Sequence, residues 1–153
     1  MSAHETSLRA LVVDDEIPFA RAIRRALEHR GFACGVAYSV ASGLDAVESN
    51  TFDVVISDLQ LGATSGLLLL SEVRSRCPEA TTILMTGWVG AVSPRLVQQG
   101  FVDAYIEKPF DLDALCQLIA RTRTKTSGVR LAAGVAHPEH LDPVAPTLRA
   151  VKR

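Results

Sequence analysis

Five short apolar runs alternate along this chain with five longer stretches of helical period, and that alternation leaves few folds open. The runs fall at about Arg9–Val13, Ala33–Tyr38, Phe52–Ser57, Thr81–Thr86 and Ala104–Glu107. They are short and nearly continuously apolar, as parallel strands buried on both faces are. Helix-period segments lie between and after them, near Pro18–Arg30, Val40–Glu48, Gly66–Cys77, Pro94–Gln99 and Leu112–Arg123. Strict β–α alternation demands right-handed crossovers and a parallel sheet with helices on both faces. The chain is therefore expected to be a doubly wound α/β domain.

Local signals agree. Ala20, Ile23 and Leu27 form one stripe of the first helix, while Arg21, Arg24, Arg25 and Glu28 fall on the other side. Gly31 comes next, where a helix end favours a left-handed residue. Ser93 before Pro94 reads as an N-cap with proline at the first helical position. Asp111 reads as another N-cap, with Phe110 and Leu115 at the spacing of a hydrophobic staple.

The pattern stops near Thr124. Thr124-Lys125-Thr126-Ser127-Gly128 reads as a linker, and Pro138, Pro143 and Pro146 break up the remaining residues. Residues 1–121 carry 10 Lys/Arg against 15 Asp/Glu and residues 122–153 carry 6 against 2, giving a body near −5 and a tail near +4. The expected organisation is an N-terminal extension over residues 1–7, a domain over 8–123 and a disordered basic tail over 124–153. No apolar stretch approaches the roughly 20 residues that span a bilayer, and Met1 to Arg9 lacks the apolar centre of a signal peptide. Cys34, Cys77 and Cys116 lack metal-ligand spacing and are expected to be reduced thiols in the cytoplasm.

Three of the apolar runs end in chemistry. Leu11-Val12-Val13 leads into Asp14-Asp15, Val54-Val55-Ile56-Ser57 into Asp58, and Ala104-Tyr105-Ile106-Glu107 into Lys108-Pro109. In open α/β sheets, sites gather at the carboxyl ends of the strands. Strands one and three are neighbours in the flavodoxin-like order 2-1-3-4-5, so a five-stranded (βα)5 sheet of that order brings the three carboxyls together. Taken singly, each aspartate would be a helix cap or a loop residue. Together they repel, by about 4 kcal/mol for two charges about 4 Å apart at an effective dielectric near 20. A cation relieves that repulsion, and Mg²⁺ suits a site of one or two carboxylates, water and phosphate oxygen. Without the metal, removing one carboxylate (Asp14→Asn or Asp58→Asn) is expected to stabilise the fold. Lys108 aims at the same edge, and Thr86, with small Gly87 after it, ends the fourth run within reach of a phosphoryl oxygen.

On these residues the chain resembles the receiver domain of two-component response regulators, of the single-domain, chemotaxis-regulator-like kind. The resemblance runs from about Leu8 to Arg123 and rests on Asp14-Asp15, Asp58, Thr86 and Lys108-Pro109-Phe110 in order and at family spacing. It implies that Asp58 is the nucleophile taking a phosphoryl group from a phosphohistidine on a sensor histidine kinase or histidine phosphotransfer protein. It further implies that Asp14, Asp15, Asp58 and the backbone carbonyl of Gln60 hold Mg²⁺, and that Lys108 neutralises the transferring group. Thr86 and Tyr105 resemble the family's switch pair, which repacks the face formed by helix 4, strand 5 and helix 5. The expected protein is then a phosphoacceptor switch rather than an enzyme, cytoplasmic, without membrane or direct nucleic-acid contact. It is expected to be a monomer or weak homodimer whose output passes through a protein partner or phosphorelay.

Departures from the family pattern carry expectations too. Gly62 stands four residues after Asp58, where proline is frequent, so the loop beside the acceptor is expected to be looser. Gln60 and Trp88 occupy the positions that flank the phosphoryl group and govern water access, and Trp88 equally fits a partner contact. Two other classes compete. An aspartyl-phosphate phosphohydrolase would place its nucleophile on the first strand with a second Asp two residues on, where this chain has Glu16. A flavin-binding module would want a hydroxyl- and glycine-rich loop in place of Asp14-Asp15-Glu16. The His137-Pro138-Glu139-His140 segment is a poor helical metal pair because of its proline.

Overall fold

The computed structural model describes residues 6–87, Gly90 and residues 94–129. The chain runs β1 (Arg9–Val13), α1 (Ile17–His29), β2 (Ala33–Ala37), α2 (Val40–Ser49), β3 (Val54–Asp58), β4 (Gln60–Leu61), β5 (Thr64–Ser65), α3 (Gly66–Arg76), β6 (Thr81–Thr86), α4 (Arg95–Gln98), β7 (Ala104–Glu107) and α5 (Leu112–Val129). The main sheet is ordered β2-β1-β3-β6-β7, all pairings parallel, which is the expected 2-1-3-4-5 winding of its five strands. The register sets Val12 between Val36 and Ile56, and Ile56 beside Ile83.

Period-two alternation divides the core in two. Leu11, Val13, Val55 and Leu84 pack on one face with Leu69, Leu70 and Val73 of α3 and Val40 and Val47 of α2. Ala10, Val12, Val54, Ile56, Ile83 and Met85 pack on the other with Ala20, Ile23 and Leu27 of α1 and Leu115 and Ile119 of α5. The stripe read for the first helix is thus its buried face. Gly31 adopts φ +88°, as its place after α1 requires. The Ala114 N–H donates to Asp111 Oδ1 at 2.6 Å, so Asp111 caps α5 as expected.

Several local features differ from expectation. β3 starts at Val54 rather than Phe52 and includes Asp58, because the Asp53 carboxylate caps the strand start by accepting the Arg9 N–H at 2.7 Å. α1 begins at Ile17, putting Pro18 at its second position. α4 is a single turn with Pro94 at its N-cap, and Ser93 lies outside the described residues. α5 continues through 124–128 to Val129, so the expected linker is helical. Nothing there stops a helix, since the next proline comes at 138. Thr122 and Thr124 donate their hydroxyls to the carbonyls of Leu118 and Ala120, as helix-borne threonines do. The rest of the expected tail, from 130, lies outside the described residues.

Arg74 and Asp103 form a further tie, 2.9 Å apart and mostly buried, with Asp103 also accepting the Thr82 N–H at 2.8 Å. It pins α3 to the bend before β7. The three cysteines are free thiols and half-buried, and burial, then Glu28, pushes the Cys34 thiol up to about 12, leaving it protonated at neutral pH. Among the described residues no helix is long and apolar enough to cross a membrane.

Candidate functional site

Three strand ends on the α1/α5 face of the sheet deliver the site. Val12, Ile56 and Ile106 point to that face, and Asp14, Asp58 and Lys108 each come two residues later. Asp14, Asp15 and Asp58 each present a carboxylate oxygen, all within 4.8 Å of one another. The three acids and the lysine expected to converge do so.

Their surroundings differ. Asp14 is fully buried; its Oδ2 accepts from Lys108 Nζ at 2.9 Å and its Oδ1 from the Glu16 N–H at 2.9 Å. Lys108 Nζ lies 3.6 Å from Asp58 Oδ1, so one ammonium serves two carboxylates. Asp15 is exposed and its Oδ2 accepts the Gly62 N–H at 3.1 Å. Burial alone would lower the Lys108 pKa, but the hydrogen bond to Asp14 and the fields of Asp58, Asp14 and Glu16 outweigh it and hold the ammonium above its ordinary value. A raised lysine pKa stabilises the fold fully below the unfolded value of about 10.4 and fades as pH rises through the folded value.

With three carboxylates and one ammonium the cluster keeps an excess of negative charge, and its oxygen donors fit a hard divalent cation. The ammonium is not shared evenly, however, and this changes the expected stability effects. Asp14→Asn removes the hydrogen-bonded partner of Lys108 and should lower the metal-free melting point. Asp58→Asn relieves repulsion and leaves the Asp14 pair intact, and it should raise stability by about 1–3 kcal/mol after screening. The gain expected at Asp14 thus becomes a loss, because its buried carboxylate accepts the hydrogen bond from Lys108. Metal-free thermal melts of both variants check this.

The loop after Asp58 is closed by a short hairpin. Gln60–Leu61 and Thr64–Ser65 pair antiparallel around Gly62-Ala63, and Gly62 adopts φ +60°. Proline is locked near −65° and could not take that place. The Gly62 N–H then ties the hairpin to Asp15. Beyond it, Gly66 opens α3 directly against β3: a Cβ there would lie 1.8 Å from the Asp58 carbonyl oxygen and 2.6 Å from Ser57 Oγ. Sequence reasoning finds neither the hairpin nor the role of Gly66. A glycine at the first position of a helix, where propensity argues against it, is the available signal.

Thr86 is fully buried at the end of β6, its carbonyl accepting the Lys108 N–H at 2.6 Å. Tyr105 is half-buried on β7 beside Leu84, so Thr86 and Tyr105 share the opposite sheet face, two positions apart. Gln60 is half-buried on the hairpin next to the cluster. Trp88 lies outside the described residues. The Lys108–Pro109 peptide is cis.

The five-stranded parallel winding thus carries an acidic trio and a lysine together at its carboxyl edge. The sequence profile of the response regulator receiver domain matches residues 10–120, and the chain belongs to that family. The acid tolerance regulatory protein ActR of Sinorhizobium medicae is 38% identical over 113 residues, 72% of this chain and 58% of that protein. The DNA-binding transcriptional regulator NtrC of Escherichia coli is 37% identical over 72% of this chain but only 24% of its own length. The chain therefore spans between a quarter and three fifths of these relatives. A response regulator from Burkholderia pseudomallei, solved with a phosphorylated aspartic acid, calcium ion and citrate, is 30% identical with a TM-score of 0.68, over 81% of this chain and 71% of that one. TrrA from Thermotoga maritima, solved with Mg²⁺ and BeF, is 28% identical with a TM-score of 0.67, over 75% and 98%.

Proposed function

We propose that this receiver domain takes a phosphoryl group onto Asp58 from a phosphohistidine of a sensor histidine kinase or histidine phosphotransfer protein. The observation that carries the proposal is the meeting of Asp58 with Asp14, Asp15 and Lys108 at one sheet edge. An Asp58 carboxylate oxygen forms the new bond to phosphorus as the P–N bond breaks, and the imidazole nitrogen keeps that bond's electron pair. Lys108 stands beside Asp58 with its charge fixed by Asp14, placed to pair with the phosphoryl oxygens. Mg²⁺, held by Asp14, Asp15, Asp58 and the Gln60 carbonyl, would supply the remaining positive charge on those oxygens, where phosphoryl-transfer catalysis chiefly lies.

Thr86 is the hydroxyl we assign to the arriving group, and Tyr105, on the same sheet face, the ring that turns inward when Thr86 moves. Their displacement alters the surface of α4, β7 and α5, through which the domain signals to a downstream protein. Gln60 is assigned to the rim, controlling water at the phosphoryl group. Residues 8–123 carry this chemistry, with 1–7 an extension and the basic segment from 124 a tail whose first residues prolong α5. A chain ending after Val129 should accept phosphate at the full-length rate, and lost labelling would place essential residues beyond it.

Intact-mass measurement with Mg²⁺ and acetyl phosphate tests the function. One phosphoryl group should add, and chelating the metal should prevent it. Steady phosphate release without an adduct would indicate a phosphohydrolase, and no reaction at all would contradict the proposal.

A further inference from the structure

Lys108 has a third neighbour besides its two carboxylates. Its Nζ lies 4.5 Å from the centroid of the Phe19 ring, well inside the roughly 6 Å over which a ring face attracts a cation. Phe19 is the third residue of α1, and its ring meets Phe110 edge-on, centroids 5.7 Å apart at 62°. Both rings pack against the core cluster that includes Ile23, Leu115 and Ile119. The ring is therefore held by Phe110 and by the core as well as facing the lysine.

We propose that Phe19 is a positioning residue for Lys108, its ring forming the floor on which the ammonium is held between Asp14 and Asp58. The inference rests on Asp58 being the phosphoacceptor. The hydrogen bond to Asp14 is short and directional, whereas Asp58 stands at 3.6 Å, outside hydrogen-bond reach. Charge arriving on Asp58 draws the ammonium that way. A ring face attracts a cation without demanding one direction, so Nζ turns from Asp14 toward Asp58 and keeps its third contact throughout. An aliphatic side chain would fill the space without attracting the charge. An amide or carboxylate would pin the ammonium with a competing hydrogen bond.

The test uses the full-length protein, Phe19→Leu and Phe19→Tyr. Tyrosine retains the ring face and leucine retains the apolar packing, so the pair separates positioning from core filling; thermal melts establish that both fold. The chain has three lysines, 108, 125 and 152, so the Lys108 ε-methylene protons are readily assigned by NMR. Lying over a ring, they should be shifted upfield in the wild type and in Phe19→Tyr, and return to ordinary positions in Phe19→Leu. Labelling by acetyl phosphate and Mg²⁺ should slow about three- to tenfold in Phe19→Leu, the scale of a lost cation–π contact, and stay near wild type in Phe19→Tyr. Absence of the upfield shift in the wild type, or wild-type labelling by Phe19→Leu, would overturn the proposal. Failure of the wild type to label, with the shift present, would fault the Asp58 assignment and leave the contact standing.

Discussion

Gly66→Ala should be severely damaging for a change of one methyl group. The added Cβ would lie 1.8 Å from the Asp58 carbonyl oxygen and 3.0 Å from its carbonyl carbon. These are backbone atoms of a strand paired to β6, and they cannot move aside as a side-chain tip can. Nor can α3 easily retreat, because the Gly66 N–H donates to the Leu59 carbonyl at 2.7 Å and Leu69, Leu70 and Val73 are fully buried. Overpacking of a closed core costs about 1–3 kcal/mol and occasionally more, and a backbone clash belongs at or above the top of that range. The melting point should fall by roughly 10 °C or more for a domain of this size. Because the clash falls on Asp58 itself, metal-dependent labelling should suffer in whatever fraction stays folded. A melt within a degree or two of wild type would mean that α3 does not abut the acceptor strand.

The largest chemical effect should come from Asp58→Asn. The amide keeps the size of the side chain and its place on β3, but it removes the nucleophilic carboxylate, so phosphoryl incorporation should be abolished. Asp15→Asn should come close, slowing labelling by ~100-fold or more, since it strips a charge from the cation site while leaving the nucleophile in place. Asp15 is exposed and tied to the Gly62 N–H, a bond an asparagine oxygen can still accept, so this loss should appear without a large change in stability. The two variants thereby separate the role of acceptor from that of metal ligand. Intact-mass time courses with Mg²⁺ and acetyl phosphate measure both, and full labelling of Asp58→Asn would remove it as acceptor.

Much of this is legible in the sequence because the constraints are repetitive. β1, β6 and β7 begin and end where their apolar runs do, and the alternation with helical segments dictates a parallel winding. Asp14, Asp58 and Lys108 can be placed because each terminates such a run, and strand order then brings them together. What escapes detection depends on contacts distant in sequence or on single dihedral angles. No periodicity announces that Gly62 will take a positive φ and close a hairpin onto Asp15, 47 residues away. The close approach of Gly66 to Asp58 is likewise a consequence of packing, not of pattern. The charge balance of the cluster is hidden for the same reason: like charges can be counted in a sequence, but the pairing of Lys108 with Asp14 in preference to Asp58 is decided by tenths of an ångström. At the C-terminal end, a run of weak helix formers looks like a linker, yet a helix already anchored by Leu115 and Ile119 extends through it.

Borohydride trapping tests the central assignment most directly, because it reports which carboxylate carries the phosphoryl group. Sodium borohydride reduces an acyl phosphate to the corresponding alcohol, turning a phosphorylated aspartate into homoserine. After treatment with Mg²⁺ and acetyl phosphate, peptide mass mapping should find homoserine at position 58 and unmodified aspartate at 14 and 15, with none formed when the metal is chelated. Homoserine at position 14 or 15 with position 58 unmodified would contradict the assignment of Asp58 as the phosphoacceptor.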